Sequence, residues 1–316
     1  MGGRAIDFSD MKEHYETKSY SKATRAEQVF TSSRMHEPFN PATMKLPREA
    51  CDSAESPHSR GIILAEDVTG SMGRFLLSLI QTAFPRLIKS IYDNVSYNPH
   101  IMFMGIGDVE VGDEAPLQVT QFETDLRILE QLEKIYLEEG GGSNRWESYI
   151  LPWYFAGNHI EMDCYNKRGE KGFLFTFGDE EPTPRLTAND IRTVFGKREQ
   201  IDRSVTALDC LEMASKKFYC YHIILHGNAY HFDGDTIVKK WEKLMGSHVC
   251  DLSDHTYLPE LISTILKMYE GFSKSKALSC IENSYARKIV KKALINHEEN
   301  VDVSNIPAAE PDIEVF

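Results

Sequence analysis

The chain has 316 residues, of which 41% are hydrophobic and 26% charged, with a formal net charge of −13. That length and composition suit a globular chain with a large core, and the acidic balance argues against nucleic acid or an anionic membrane as a partner. No apolar run approaches the roughly 18 residues needed to span a bilayer, "MGGRAIDFSD" has no apolar segment of a secretory signal, and six cysteines without C-x-x-C spacing read as reduced thiols, so the expected setting is cytoplasmic.

Residues 1–60 carry prolines and little periodicity, and read as an extended N-terminal arm docked by scattered anchors, namely Phe30, Met35, Phe39, Met44 and Leu46. "GIILAEDV" (61–68) is a buried strand by its continuous apolar run. "RFLLSLIQTAFPRLIKSIYDNV" has helical apolar spacing with a kink expected at Pro85. "HIMFMGIG" and the shorter "LQVTQF" follow as strands. "DLRILEQLEKIYLEE" is predicted as an amphipathic helix ending in "GGGS", and "WESYILPWYFAGNHI" as helical. "GFLFTFGDE" and "YCYHIILHG" are strands, "TIVKKWEKLMG" a helix stopping at Gly246, "SHVCDLS" a short strand and "LPELISTILKMYEGF" a helix with Pro259 in its first turn. A C-terminal helix is expected over 272–296 and an acidic tail over 297–316. Strands alternating with helices need crossovers, so the expected class is α/β: a doubly wound, mostly parallel central sheet with helices on both faces, over residues 61–271.

Ligands of such a sheet bind at the C-terminal ends of its strands, and three oxygen-rich clusters fall there. The first is Asp67, Thr69 and Ser71 in "EDVTGSMGRF". The second is "GGGSNRWES" (140–148), and the third is Gly178-Asp179 after "FLFTF". Carboxylates and hydroxyls without thiols make a hard-oxygen set suited to Mg²⁺, Mn²⁺ or Ca²⁺ rather than zinc. Taken singly, each has a plainer reading: Thr69 or Ser71 as a helix N-cap, Asp179 as a turn former. His222 and His226 share one strand face but lack further ligands for zinc.

Asp67-Val68-Thr69-Gly70-Ser71-Met72 resembles the D-x-[ST]-x-S motif of von Willebrand factor A domains. Gly141-Gly142-Ser143-Asn144 is similar to their glycine-rich second loop, and Gly178-Asp179 to their third-loop aspartate. The resemblance implies a Rossmann-like fold with a metal-ion-dependent adhesion site holding Mg²⁺. Thr69 and Ser71 would ligate the ion directly, Asp67 and Asp179 mostly through water. The second loop of the family often supplies a threonine or aspartate; here Ser143 or Asn144 takes that place. The implied function is a non-enzymatic, metal-gated adaptor or scaffold that binds a partner's carboxylate, working with a separate MoxR-type AAA+ ATPase or in a larger assembly, including a homo-oligomer built through the acidic C-terminal end. An alternative is a haloacid-dehalogenase-like phosphohydrolase, since "DVTGS" also looks like D-x-T-G-[ST]; Asp67 would then be a nucleophile assisted by Mg²⁺.

Overall fold

A computed structural model describes residues 6–138 and 144–301, with the side chains of Ser71 and Arg74 excepted. Six strands form the central sheet: β1 (Ser59–Asp67), β2 (Asn98–Ile106), β3 (Leu117–Val119), β4 (Gly172–Gly178), β5 (Phe218–Leu225) and β6 (Val249–Leu252). Their spatial order is β6-β5-β4-β1-β2-β3, and all neighbours are parallel except β3, which runs antiparallel to β2. This is the doubly wound α/β class, in the Rossmann-like order whose direction of winding reverses between β1 and β4.

The pleat explains why β1 reads as an unbroken apolar run. Ile62 and Leu64 face one core, with the Phe84–Asn94 and Leu258–Tyr269 helices; Ile63 and Ala65 face the other, with the Leu151–His159 and Asn228–Met245 helices. A strand covered on both sides has no polar face to alternate with. The same period of two sends the next residues, Glu66 and Asp67, to opposite faces.

The helical run after β1 comprises Gly73–Ser78, a π-helical turn Leu79–Ala83, and Phe84–Asn94. The irregular turn lies immediately before Pro85, which has no N–H to bond backwards and whose ring crowds the preceding turn. The helix predicted from Asp125 onward is shorter, Arg127–Leu132. Beyond it Ile135 and Leu137 are buried at alternate positions, and Tyr136 bridges to Ser32 of the N-terminal region, so extended pairing replaces the last helical turns. The "WESYIL" stretch is likewise not helical until Leu151; Trp146–Glu147 instead pairs in parallel with Glu181–Pro182. Three further helices had not been predicted: Asp163–Arg168, Ala188–Phe195 and Ala207–Lys217. Thr187 with Asp190, and Thr206 with Asp209, form reciprocal caps at two of their starts, a legible signature. In place of one C-terminal helix there are two, Lys274–Ser279 and Ser284–Ala293, the second capped by Asn283.

The N-terminal region carries a helix, Phe8–Lys18, and runs on across both cores. Met11, Tyr20, Val29, Phe30 and Phe39 join the first core, Met44 and Ala50 the second. Arg48–Ala50 pairs with Ile160–Met162, and the Arg48 guanidinium donates to the Val119 carbonyl of β3 at 3.2 Å. Arg48 thereby ties the N-terminal region to the edge strand β3. Among the described residues no helix is long and apolar enough to cross a membrane.

Candidate functional site

Because β1 and β4 are hydrogen-bonded neighbours, with Glu66 opposite Phe177, Asp67 and Asp179 leave adjacent strand tips at the reversal of the sheet. Both are fully buried. Asp67 Oδ1 accepts from the Thr69 backbone N–H at 2.9 Å and from the Thr69 hydroxyl at 2.6 Å; its Oδ2 accepts from the Tyr149 hydroxyl at 2.9 Å. Tyr149 fits because residue 178 is glycine: a Cβ there would collide with the Tyr149 ring and hydroxyl. Asp179 Oδ2 accepts from the Ala229 N–H at 2.8 Å, at the start of the Asn228–Met245 helix, and a Cβ on Gly227 would collide with that carboxyl. The other oxygen, Asp179 Oδ1, is buried with no hydrogen-bond partner among the described residues.

The pairing of Trp146–Glu147 with Glu181–Pro182 ties the second loop to the third, and an ion pair of 2.7 Å from Arg145 to Asp233 reaches the following helix. Glu147 is 3% exposed and its Oε2 has no partner among the described residues. Asn144, one of the two second-loop candidates, donates its amide to Asp108 Oδ2. Asp108 lies just past the tip of β2; its Oδ1 accepts from the Ser148 hydroxyl at 3.2 Å and from the Glu110 N–H at 2.9 Å. Ser143 and glycines 140–142 lie outside the described residues, and the Ser71 side chain does as well.

Electrostatics follows from this crowding. Burial pushes the Asp67 carboxyl up to about 7; the Thr69 and Tyr149 hydrogen bonds pull against that, while the Asp179 charge adds to it. Glu147 is pushed up to about 11 by burial and then by the charges of Asp67, Glu180 and Asp108. Glu180 rises to about 8, by burial first and by Asp67 and Asp179 next. Carboxylates held together out of water require either a proton or a cation.

The structure thus brings Asp67, Thr69 and Asp179 to one place, and turns the Asn144 amide toward Asp108. Among the described residues no three His, Cys, Asp or Glu side chains form a group that could hold a metal ion. An ion at the strand tips would therefore depend on hydroxyls and water beside the two aspartates, and the donors present are hard oxygens that fit Mg²⁺. Sequence reasoning gave no site role to Asp108, Tyr149 or Glu180, and read Glu147 with Ser148 as the opening of a helix, whereas Glu147 lies in a short strand and the helix begins at Leu151. Asp108 was reachable, since it follows an apolar strand as Asp67 does; nothing local marks Tyr149, whose role depends on the distant Gly178. His222 is buried, stacked on Trp241 at 3.4 Å, and its Nδ1 lies 2.9 Å from the Thr176 hydroxyl. His226 lies just past the end of β5 and contacts Asp251 at 2.5 Å, so the two histidines share neither a strand nor a site.

No protein-family model matches the chain, and no curated protein matches it. Among solved structures it is similar to the pilus adhesin SpaC from Lactobacillus rhamnosus GG in its open conformation, at 11% identity and a TM-score of 0.47, covering 67% of this chain and 30% of the adhesin. A second structure of that adhesin gives 11% identity and a TM-score of 0.41, covering 75% and 31%. The chain spans under a third of the length of the adhesin chains it resembles.

Proposed function

We propose that this chain is a metal-dependent protein-binding module of the von Willebrand factor A type, which holds Mg²⁺ at the tips of β1 and β4 and takes a partner's carboxylate as a further ligand. The observation that carries the reading is the buried pair Asp67 and Asp179 at the reversal of the sheet, with no hydrogen-bond partner for Asp179 Oδ1 among the described residues. Open α/β sheets commonly bind ligands at such a reversal, and a buried carboxylate oxygen without a partner is costly unless something outside the described residues satisfies it. Asp67, Thr69 and Asp179 would hold the ion, with Ser71, and Ser143 or Asn144, joining by the resemblance. A hydroxyl-rich set leaves the ion's charge incompletely neutralised, which favours an incoming carboxylate.

Asp67 as a phosphoryl-accepting nucleophile is less favoured, because both of its oxygens already accept hydrogen bonds, from Thr69 and Tyr149. Titration calorimetry with Mg²⁺ tests the proposal. Binding in the millimolar range or tighter is expected, at least tenfold weaker in Asp179→Asn. Absence of Mg²⁺ and Mn²⁺ binding would overturn it, as would Mg²⁺-dependent phosphatase turnover abolished by Asp67→Asn.

A further inference from the structure

A cleft of about 650 Å³ opens beside the Thr69 loop. Val68, Thr69 and Gly70 line it together with Tyr136, Leu137 and Glu138 and with residues of the N-terminal region, Arg25, Glu27 and Phe30 to Ser33. Its volume falls within the range of pockets that enclose small ligands or short peptide segments.

The N-terminal lining is fixed in place. Val29 and Phe30 are buried in the first core. Gln81 Nε2 donates to the Tyr20 and Ala23 carbonyls at 2.7 and 2.8 Å. Ser32 bridges to Tyr136, and its hydroxyl donates to the Lys134 carbonyl at 3.0 Å. The rest of the lining is tied to the sheet: the Glu138 N–H donates to the Val68 carbonyl at 3.1 Å, and the Val68 N–H to the Ile106 carbonyl at 2.9 Å. A cleft with its lining held needs little ordering when a ligand enters.

Three charged side chains line it. Glu138 is buried and accepts from the Ala115 N–H at 2.5 Å. Glu27 is exposed to water. Arg25 is exposed, and no carboxylate among the described residues pairs with it. A guanidinium that lines the same cleft as Thr69 is a ready partner for a second carboxylate, which it can bind through two parallel N–H donors.

We propose that this cleft receives an acidic peptide segment of a partner protein, with one carboxylate on the ion at the Asp67 and Thr69 tip and a second on Arg25. The inference rests on the ion-binding reading above. It gives the N-terminal region a function: it builds half of the docking site.

A phage-displayed library of random dodecapeptides, panned on the full chain in Mg²⁺ and eluted with chelator, tests it. Eluted peptides should carry two acidic residues separated by at least one other residue. Synthetic versions should bind Arg25→Ala at least tenfold more weakly than the parent chain, by fluorescence anisotropy, while Mg²⁺ calorimetry of that variant is unchanged. Glu27→Gln, in the same cleft, should bind them as well as the parent or better. Peptides with a single acidic residue, or equal binding to Arg25→Ala, would overturn the docking proposal while Mg²⁺ binding still stood. Loss of Mg²⁺ binding in the parent chain itself would remove the ion-binding reading and this one together.

Discussion

Glu66 and Asp67 are chain neighbours of the same chemical type, and the pleat of β1 places them in opposite surroundings. Asp67 faces the core of Tyr149 and Trp153, where it accepts three hydrogen bonds within a cluster of carboxyls. Glu66 faces the other core, in a small apolar cavity lined by Phe30, Leu64, Leu76, Ile80 and Phe177. Neither of its oxygens has a partner among the described residues, and burial, with the Asp67 charge, holds its carboxyl well above the usual range. The difference separates two kinds of buried acid. One is surrounded by donors that favour its charged form and by other acids that call for a cation; the other is surrounded by hydrocarbon, which disfavours its charged form.

The largest effect expected from this contrast is a pH-dependent stability that Mg²⁺ reverses. A carboxyl whose folded-state value lies above its unfolded value stabilises the fold fully only below the unfolded value, and that contribution is lost as pH rises toward the folded value. Glu147, held at about 11, and Glu66 both act in this direction across neutral pH. Buried histidines act oppositely: His100, lowered to about 4 by burial, and His297, lowered to about 3 by burial, gain stability as pH rises, but only up to the ordinary histidine value near 6.5. The clean window is therefore pH 7 to 8. In chelator, stability should fall there by roughly 1 kcal/mol per unit for Glu147. Mg²⁺ at a hundred times its dissociation constant should restore about 2.7 kcal/mol. Thermal melts in chelator and in Mg²⁺ at both pH values check this; a flat profile in chelator would remove the electrostatic crowding from the account.

Converting the Glu66 cavity to hydrocarbon should have the next largest effect. Glu66→Leu removes two unpaired oxygens and leaves a side chain suited to the Phe30 and Phe177 surroundings, so a gain of about 2 kcal/mol is expected. In a chain of this size that corresponds to a rise of roughly 4 °C in Tm. Mg²⁺ affinity should be unchanged, because Glu66 points away from the strand tip. A lower Tm for the variant would mean that the carboxyl has a partner in solution, and the contrast with Asp67 would weaken.

The same contrast shows what was legible in the sequence. The six strands and the doubly wound class could be read, because a strand buried on both faces writes a continuous apolar run and helices write a different period. Asp67, Thr69 and Asp179 could be singled out, because strand ends are local features. The fate of Glu66 follows from simple alternation once the strand is fixed. What could not be read depends on contacts far apart in the chain. Ile135 and Leu137 leave helical geometry because residues near Ser32 pair beside them. Glu147 joins the carboxyl cluster because its strand pairs with Glu181–Pro182. Tyr149 reaches Asp67 only across Gly178.

Tyr149→Phe should produce the smallest change and the sharpest test of the comparison, since it moves Asp67 one step toward the condition of Glu66. The ring keeps its edge-on packing against His222 and Trp241, at 5.2 and 5.6 Å between centroids, so the substitution removes little beyond the hydroxyl. That hydroxyl donates to Asp67 Oδ2, and a donor is worth more to a carboxylate than to a neutral acid. The loss should therefore be about 1 kcal/mol above pH 7, where Asp67 is mostly charged in the parent chain, and smaller near pH 5. The titration of Asp67 should also move upward, which carboxyl ¹³C shifts can follow. If the penalty is the same at both pH values and the titration does not move, Tyr149 acts on the site through packing alone, and the contrast between the two acids rests on Thr69 and on the surrounding charges.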